Sequence, residues 1–126
     1  MSVSLYQASV GVYQVALPAF SAILDKAAAY AAARKFDPSV YMTTRLRPDM
    51  LTFARQVQTF CDTAKNASGR LAGVTPPSMP DDEASLDELK ARIQKTLDFL
   101  RSLGVKDIEA GADRDIVFPG PYVSGP

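Results

Sequence analysis

Small and apolar residues recur at helical spacing along most of the chain, and they predict an all-α fold. The clearest stretch is Arg47 to Gly73. Met50, Phe53, Ala54, Val57, Phe60, Cys61, Ala64, Ala67, Ser68 and Leu71 follow i, i+3, i+4, i+7 spacing, which gathers them on one stripe. Thr52, Arg55, Gln56, Thr59, Asp62, Lys65, Asn66 and Arg70 fall on the remaining surface. Pro48 suits a first helical position, where its missing N–H costs nothing, and Asp49 complements the positive end of the helix. Gly73 can take the left-handed conformation that ends a helix.

An earlier helix is predicted from Ser4 to about Arg34. Tyr6, Val10, Tyr13, Leu17, Phe20, Leu24, Ala27 and Ala31 share a stripe, with Ala16, Ile23 and Tyr30 beside it. No charged side chain occurs from Met1 to Leu24, which implies burial on more than one side. Pro18 removes one helical hydrogen bond and is expected to kink or split the helix. Asp37 and Pro38 then form a cap and first residue for one short turn over Ser39 to Met42.

Val74 to Pro80, VTPPSMP, reads as a stiff, extended connector, because each proline disfavours helix at the residue before it. The third helix begins at the capping box Ser85-Leu86-Asp87-Glu88, with Asp81, Asp82 and Glu83 adding negative charge at its start. Leu86, Leu89, Ile93, Leu97, Leu100 and Leu103 form its apolar stripe. Lys90, Arg92, Lys95 and Arg101 lie outside it, and Gly104 is expected to close it. Val105 to Ala110 fits a short helical turn and Ile116 to Phe118 a short strand. The chain thus divides into a helical bundle over 1–112 and an irregular Pro/Gly-rich tail over 113–126.

Composition narrows the functions. The 126 residues suit one domain with one core. Lys plus Arg equals Asp plus Glu, at 14 each, so nothing suggests a nucleic-acid partner, which needs clustered positive charge. The chain has no His, which removes the commonest metal ligand and general base. One Cys forms no internal disulfide, consistent with a reducing, cytoplasmic location. The uncharged N-terminal stretch lacks the positive start of a signal peptide. Gln7, Ser9, Gln14, Ser21 and Pro18 argue against a membrane span.

Several segments carry a resemblance. SLYQASV, FSAILDKAAAYAAAR, the RLRPDMLTFARQVQTFCDTAKNASGRLAG run, PPSMPDDEASLDELKARIQKTLDFL and DRDIVF resemble, in order, the DinB-like proteins catalogued as domain of unknown function nineteen ninety-three. The resemblance implies a DinB-like antiparallel four-helix bundle with no established activity, known from bacteria and fungi. It also implies that members continue past the region of Asp113 to Phe118 into a hairpin-like segment and a fourth helix rich in aromatics and His. This chain ends at Pro126, so three long helices are expected, leaving an apolar groove of a kind monomers seldom expose. Three closures follow: a second chain, a partner or ligand, or a first helix folded back at Pro18. A homodimer is the favoured one.

The candidate chemistry is sparse. The wider superfamily often holds a divalent metal through three His, and this chain has none, so no metal and no cofactor is expected. Cys61 lies on the buried stripe, where a thiol without His is a core residue rather than a nucleophile. Carboxylate groups at Asp81 to Glu83 and at Asp113 and Asp115 read as a helix-dipole complement and a solvated turn. Tyr6, Tyr13 and Tyr30 share a helix face. With Arg55 and Cys61 they are the candidate pocket or interface for a small apolar or anionic ligand or a second copy. Arg45 and Arg47 lie close in sequence. The function expected is a non-catalytic, oligomerising bundle protein. The alternative is a small-molecule binder or a metal- or thiol-dependent DinB-like enzyme.

Overall fold

The computed structural model describes residues 2–117. Five α-helices follow one another: α1 Leu5–Ala8, α2 Val10–Arg34, α3 Phe53–Ala72, α4 Leu86–Arg101 and α5 Val105–Ala110. A 3-10 helix, Pro38–Thr43, links α2 to α3, and a short one, Gly111–Asp113, follows α5. Ile116 and Val117 carry no regular structure, and Phe118 lies outside the described residues.

The first helix is interrupted, at Ser9 rather than at Pro18. Ser4 starts α1 with a capping box: its hydroxyl accepts from the Gln7 N–H, and the Gln7 side chain accepts from the Ser4 N–H. Ser9 leaves helical geometry (φ −122°, ψ −88°), and its Oγ donates to the Leu5 carbonyl at 2.7 Å. A serine bonded back to its own preceding turn competes with the backbone ladder. Pro18 stays inside α2, which runs unbroken to Arg34, with its ring on the exposed side. Lys35, at φ 59°, closes α2.

The start of α3 also differs from the Pro48 expectation. Residues 45–51 bend instead, held by Arg45 donating to the Met50 carbonyl at 3.1 Å. The helix begins after Thr52, whose hydroxyl accepts from the Arg55 N–H at 3.3 Å. Gly73 ends it in the left-handed conformation (φ 70°). Ser85 caps α4 by accepting from the Glu88 N–H. Ser102, not Gly104, closes α4, and Gly104 precedes α5 instead.

Helix directions follow from side-chain pairs. Tyr13 meets Phe60 and Phe20 meets Phe53, so α2 and α3 are antiparallel. Asp25 pairs with Lys90, while Pro18 and Arg101 line the same cleft, so α2 and α4 are antiparallel too. Between α3 and α4 the direction is the same. Glu83, just before α4, bonds Gln58 near the start of α3, and Arg114, beyond α4 and α5, bonds the Leu71 carbonyl near its end. Residues 74–84 make this possible by returning along α3 as a strap, with Lys65 donating to the Pro77 carbonyl at 2.8 Å. Leu17, Leu24, Val57, Cys61, Leu89, Ile93, Leu100 and Ile108 are enclosed between the helices. Each large aliphatic so buried contributes about 1.5–3 kcal/mol.

Candidate interaction face and strap network

Two features stand out, one apolar on the outside and one charged on the inside. The apolar one begins with how little of α2 is covered. Its buried residues are Val10, Leu17, Leu24 and Ala31, seven apart, so they form a single seam. At about 100° per residue, Tyr13 and Phe20 lie to one side of that seam, and Ala16, Ile23, Val12, Tyr30 and Ala19 lie further round the same way. Val12, Ile23 and Tyr30 stay 54, 50 and 53% exposed. The stretch Leu5–Arg34 is long and apolar enough to cross a membrane by composition, and only 17% of its most apolar window is buried.

An aromatic row adjoins this face. α4 packs against both α2 and α3, while α2 and α3 meet chiefly through rings on the side away from α4. Tyr13 contacts Phe60 edge-on at 6.4 Å, and Phe60 stacks on Phe20 at 5.5 Å. Phe20 stacks on Phe53 at 6.5 Å, and Phe53 reaches Tyr41 at 6.4 Å. Tyr41, Phe36 and Tyr30 continue the row at 5.7 and 6.0 Å. Every ring in it is partly exposed. Such pairs contribute about 0.5–1.5 kcal/mol beyond burial.

The charged feature centres on Arg92, which the helical pattern places outside the apolar stripe. It is only 3% exposed. Its guanidinium donates to Glu83 at 3.0 Å, to Asp62 at 2.7 Å and to the Pro80 carbonyl at 2.9 Å, and it pairs with Asp81 at 3.0 Å. Arg55 bonds Asp81 and Gln58, Gln58 bonds Glu83, and Lys65 pairs with Asp62. Lys65, another residue the pattern assigns to the surface, is buried. Three cations and three carboxylates thus balance within the network. Its consequence is mechanical: it ties the strap to α3 and α4. For Glu83, burial pushes the carboxyl up, but hydrogen bonds from Arg92, its own backbone N–H and Gln58 outweigh it and hold it below the usual range. Arg92 is likewise buried, against which its carboxylate partners hold the proton more firmly.

A cleft of about 520 Å³ opens between strap and α4, floored by Pro77, Met79 and Pro80 and edged by Asp82, Lys95 and Asp98. Its inner wall includes Arg92, whose Nε has no hydrogen-bond partner among the described residues.

The sequence candidates are dispersed over these features. Tyr6 accepts from Gln14 on its hydroxyl, and its N–H donates to Glu109. Tyr13 belongs to the aromatic row. Tyr30, about 26 Å further along α2, meets Phe36 and carries Arg34 over its ring at 5.5 Å. Arg55 serves the strap network, while Arg45 and Arg47 lie in the bend before α3. Cys61 is fully buried. Burial pushes its thiol up, against a hydrogen bond with Thr96 and the charge of Arg92, so it is not poised as a thiolate. Among the described residues no three of His, Cys, Asp and Glu converge to hold a metal. The acids of the strap had a signal in sequence, their clustering, but Asp81 and Glu83 face Arg92 rather than the end of α4.

This arrangement defines a DinB-like all-α bundle. A crystal structure of a DinB family member protein from Shewanella denitrificans is similar to it, with TM-score 0.86 and 38% identity, over 91% of this chain and 66% of that one. The family model described as "Domain of unknown function (DUF1993)" matches residues 5–124, and the chain belongs to that family. No curated protein matches it.

Proposed function

We propose that this protein is non-catalytic and acts by self-association through the apolar face of α2 and the aromatic row beside it. The observation that carries this is the exposure of α2. A helix apolar around most of its circumference is normally enclosed, yet α2 is fully buried only at Val10, Leu17, Leu24 and Ala31, with Tyr13, Phe20 and Ala27 half-covered beside them and Val12, Ile23 and Tyr30 exposed. A formal net charge of zero sets up no long-range repulsion between copies. Nucleic acid is a poor match for a surface of balanced charge. Lipid is a poor match for a helix packed on the charged helices α3 and α4. A cytoplasmic location fits the single, sealed thiol.

Thermal unfolding across about a hundredfold dilution tests the proposal. Association that stabilises only the folded chain makes Tm fall on dilution, by mass action. A Tm independent of concentration overturns it.

The cleft beneath the strap favours a second reading, a small-molecule binder. A thermal-shift screen of small organic anions and apolar fragments tests that. A saturable stabilisation lost in Lys95→Met supports binding there, and no shift across the screen sinks it.

A further inference from the structure

We infer that α2 pairs antiparallel with α2 of a second copy, about a twofold axis between residues 17 and 18. This rests on the self-association proposed above and names the segment and direction that carry it.

The inference starts from spacing. Val12, Ala16, Ala19, Ile23, Lys26 and Tyr30 are separated by 4, 3, 4, 3 and 4 residues. That is a heptad seam, the pattern by which one helix meets another along its length. It is distinct from the seam of Val10, Leu17, Leu24 and Ala31, which faces the protein's own bundle. The two seams lie about 130° apart around α2, so the outer one remains available when the bundle is folded.

Charge selects the occupant. Between Val10 and Leu24 the outer face has no charged side chain, so a charged helix placed there loses solvation without a partner. The outward surface of α4 carries Asp87, Lys90, Lys95, Asp98 and Arg101, and that of α3 begins with Arg55. Among the described long helices, α2 alone offers a matching apolar, charge-free face, so a second α2 is the complement.

Charge also selects the direction. A parallel pair stacks Lys26 on Lys26 inside the seam, which like charges disfavour. In the antiparallel pair each residue faces the one whose number completes 35. Val12 faces Ile23, Ala16 faces Ala19, and Lys26 faces Ser9 at the break before α2, beyond the apolar core. The central alanines let the axes approach to about 8 Å, the close end of helix packing. The pairing is isologous, with Val12 meeting Ile23 and Ile23 meeting Val12, as a closed twofold contact requires.

Disulfide trapping reads this register. In the proposed pair, positions 12 and 23 of different copies are neighbours, within reach of a disulfide. Positions 12 and 12, or 23 and 23, lie about 16 Å apart. The double variant Val12→Cys/Ile23→Cys is expected to form a covalent dimer under mild oxidation, while each single variant stays uncrosslinked, like the wild type with its sealed Cys61. Crosslinking of either single variant on its own indicates a parallel pair and overturns the inference. Absence of any crosslink, with the wild-type Tm still falling on dilution, overturns this register while self-association stands. Absence of both removes the two readings together.

Discussion

Arg92 of α4 lies buried among carboxylates from α3 and the strap. By helical periodicity it belongs with Lys90 and Lys95 on a wet surface. The structure buries it because its partners come from elsewhere: Asp62 from α3, and Asp81 and Glu83 from the strap. No local period reveals a partner 30 residues away, whereas the Ser85 cap was legible, since its hydroxyl meets the Glu88 N–H three residues on; the reciprocal half of the box does not form, because the Glu88 carboxylate accepts from the Ala84 N–H instead. Arg92→Ala leaves Glu83 enclosed without its cation. It is expected to cost about 3 kcal/mol, the lower part of the range for breaking a buried ion pair, since Asp62 and Asp81 remain partly solvated. Urea unfolding measures it, and a loss under half that size contradicts a central role for Arg92. Glu83 sets a pH window. Its folded-state pKa is depressed, so its stabilisation is fully present above the unfolded value of about 4.3. It is lost as pH falls through the lower, folded value. Glu83→Gln is therefore expected to lose less stability than the wild type between neutral and acid pH, and equal losses refute the assignment.

At the scale of elements, the places where helices are joined separate what the sequence showed from what it hid. The existence and order of the long helices, the Asp37–Pro38 turn and the Gly73 cap were readable from periodicity and capping chemistry. The boundaries at Ser9 and Thr52 were not, because a stronger-looking signal stood nearby. Pro18 drew attention from Ser9, and Pro48 from Thr52. In both cases a hydroxyl hydrogen bond decided the matter. The direction of α4 relative to α3 was hidden as well, since only the strap's path along α3 sets it. Beyond α5, the chain presses on α3 at Gly111, where an added Cβ meets the Leu71 carbonyl oxygen at 2.2 Å. Backbone cannot yield there as a side chain can. Gly111→Ala is expected to destabilise by about 1–3 kcal/mol, with loss of protection in α5 by hydrogen exchange. Stability unchanged from wild type shows that this junction gives way freely.

For the whole molecule, the uncharged N-terminal helix carried the most information, and part of its message changed on folding. Its composition implied burial on more than one side. Within one chain it meets α3 on one side and α4 on the other, but full burial is confined to one seam, flanked by partly exposed rings from Tyr13 to Tyr30. The candidate set of Tyr6, Tyr13, Tyr30, Arg55 and Cys61 does not converge, because α2 is long enough to carry its tyrosines to opposite ends of the bundle. What joins Tyr13 and Tyr30 is the aromatic row along the uncovered side. Ile23→Glu places a charge in the outer seam while leaving the inner seam intact. It is expected to keep wild-type helicity and to abolish association, as circular dichroism and sizing together check. The most direct measurement is molar mass in solution, by light scattering behind a sizing column, for wild type and Ile23→Glu side by side. Self-association through α2 predicts twice the 13.6 kDa chain mass for the wild type and the single-chain mass for the variant. A wild type that elutes at the single-chain mass at every concentration, or a variant that remains dimeric, contradicts it.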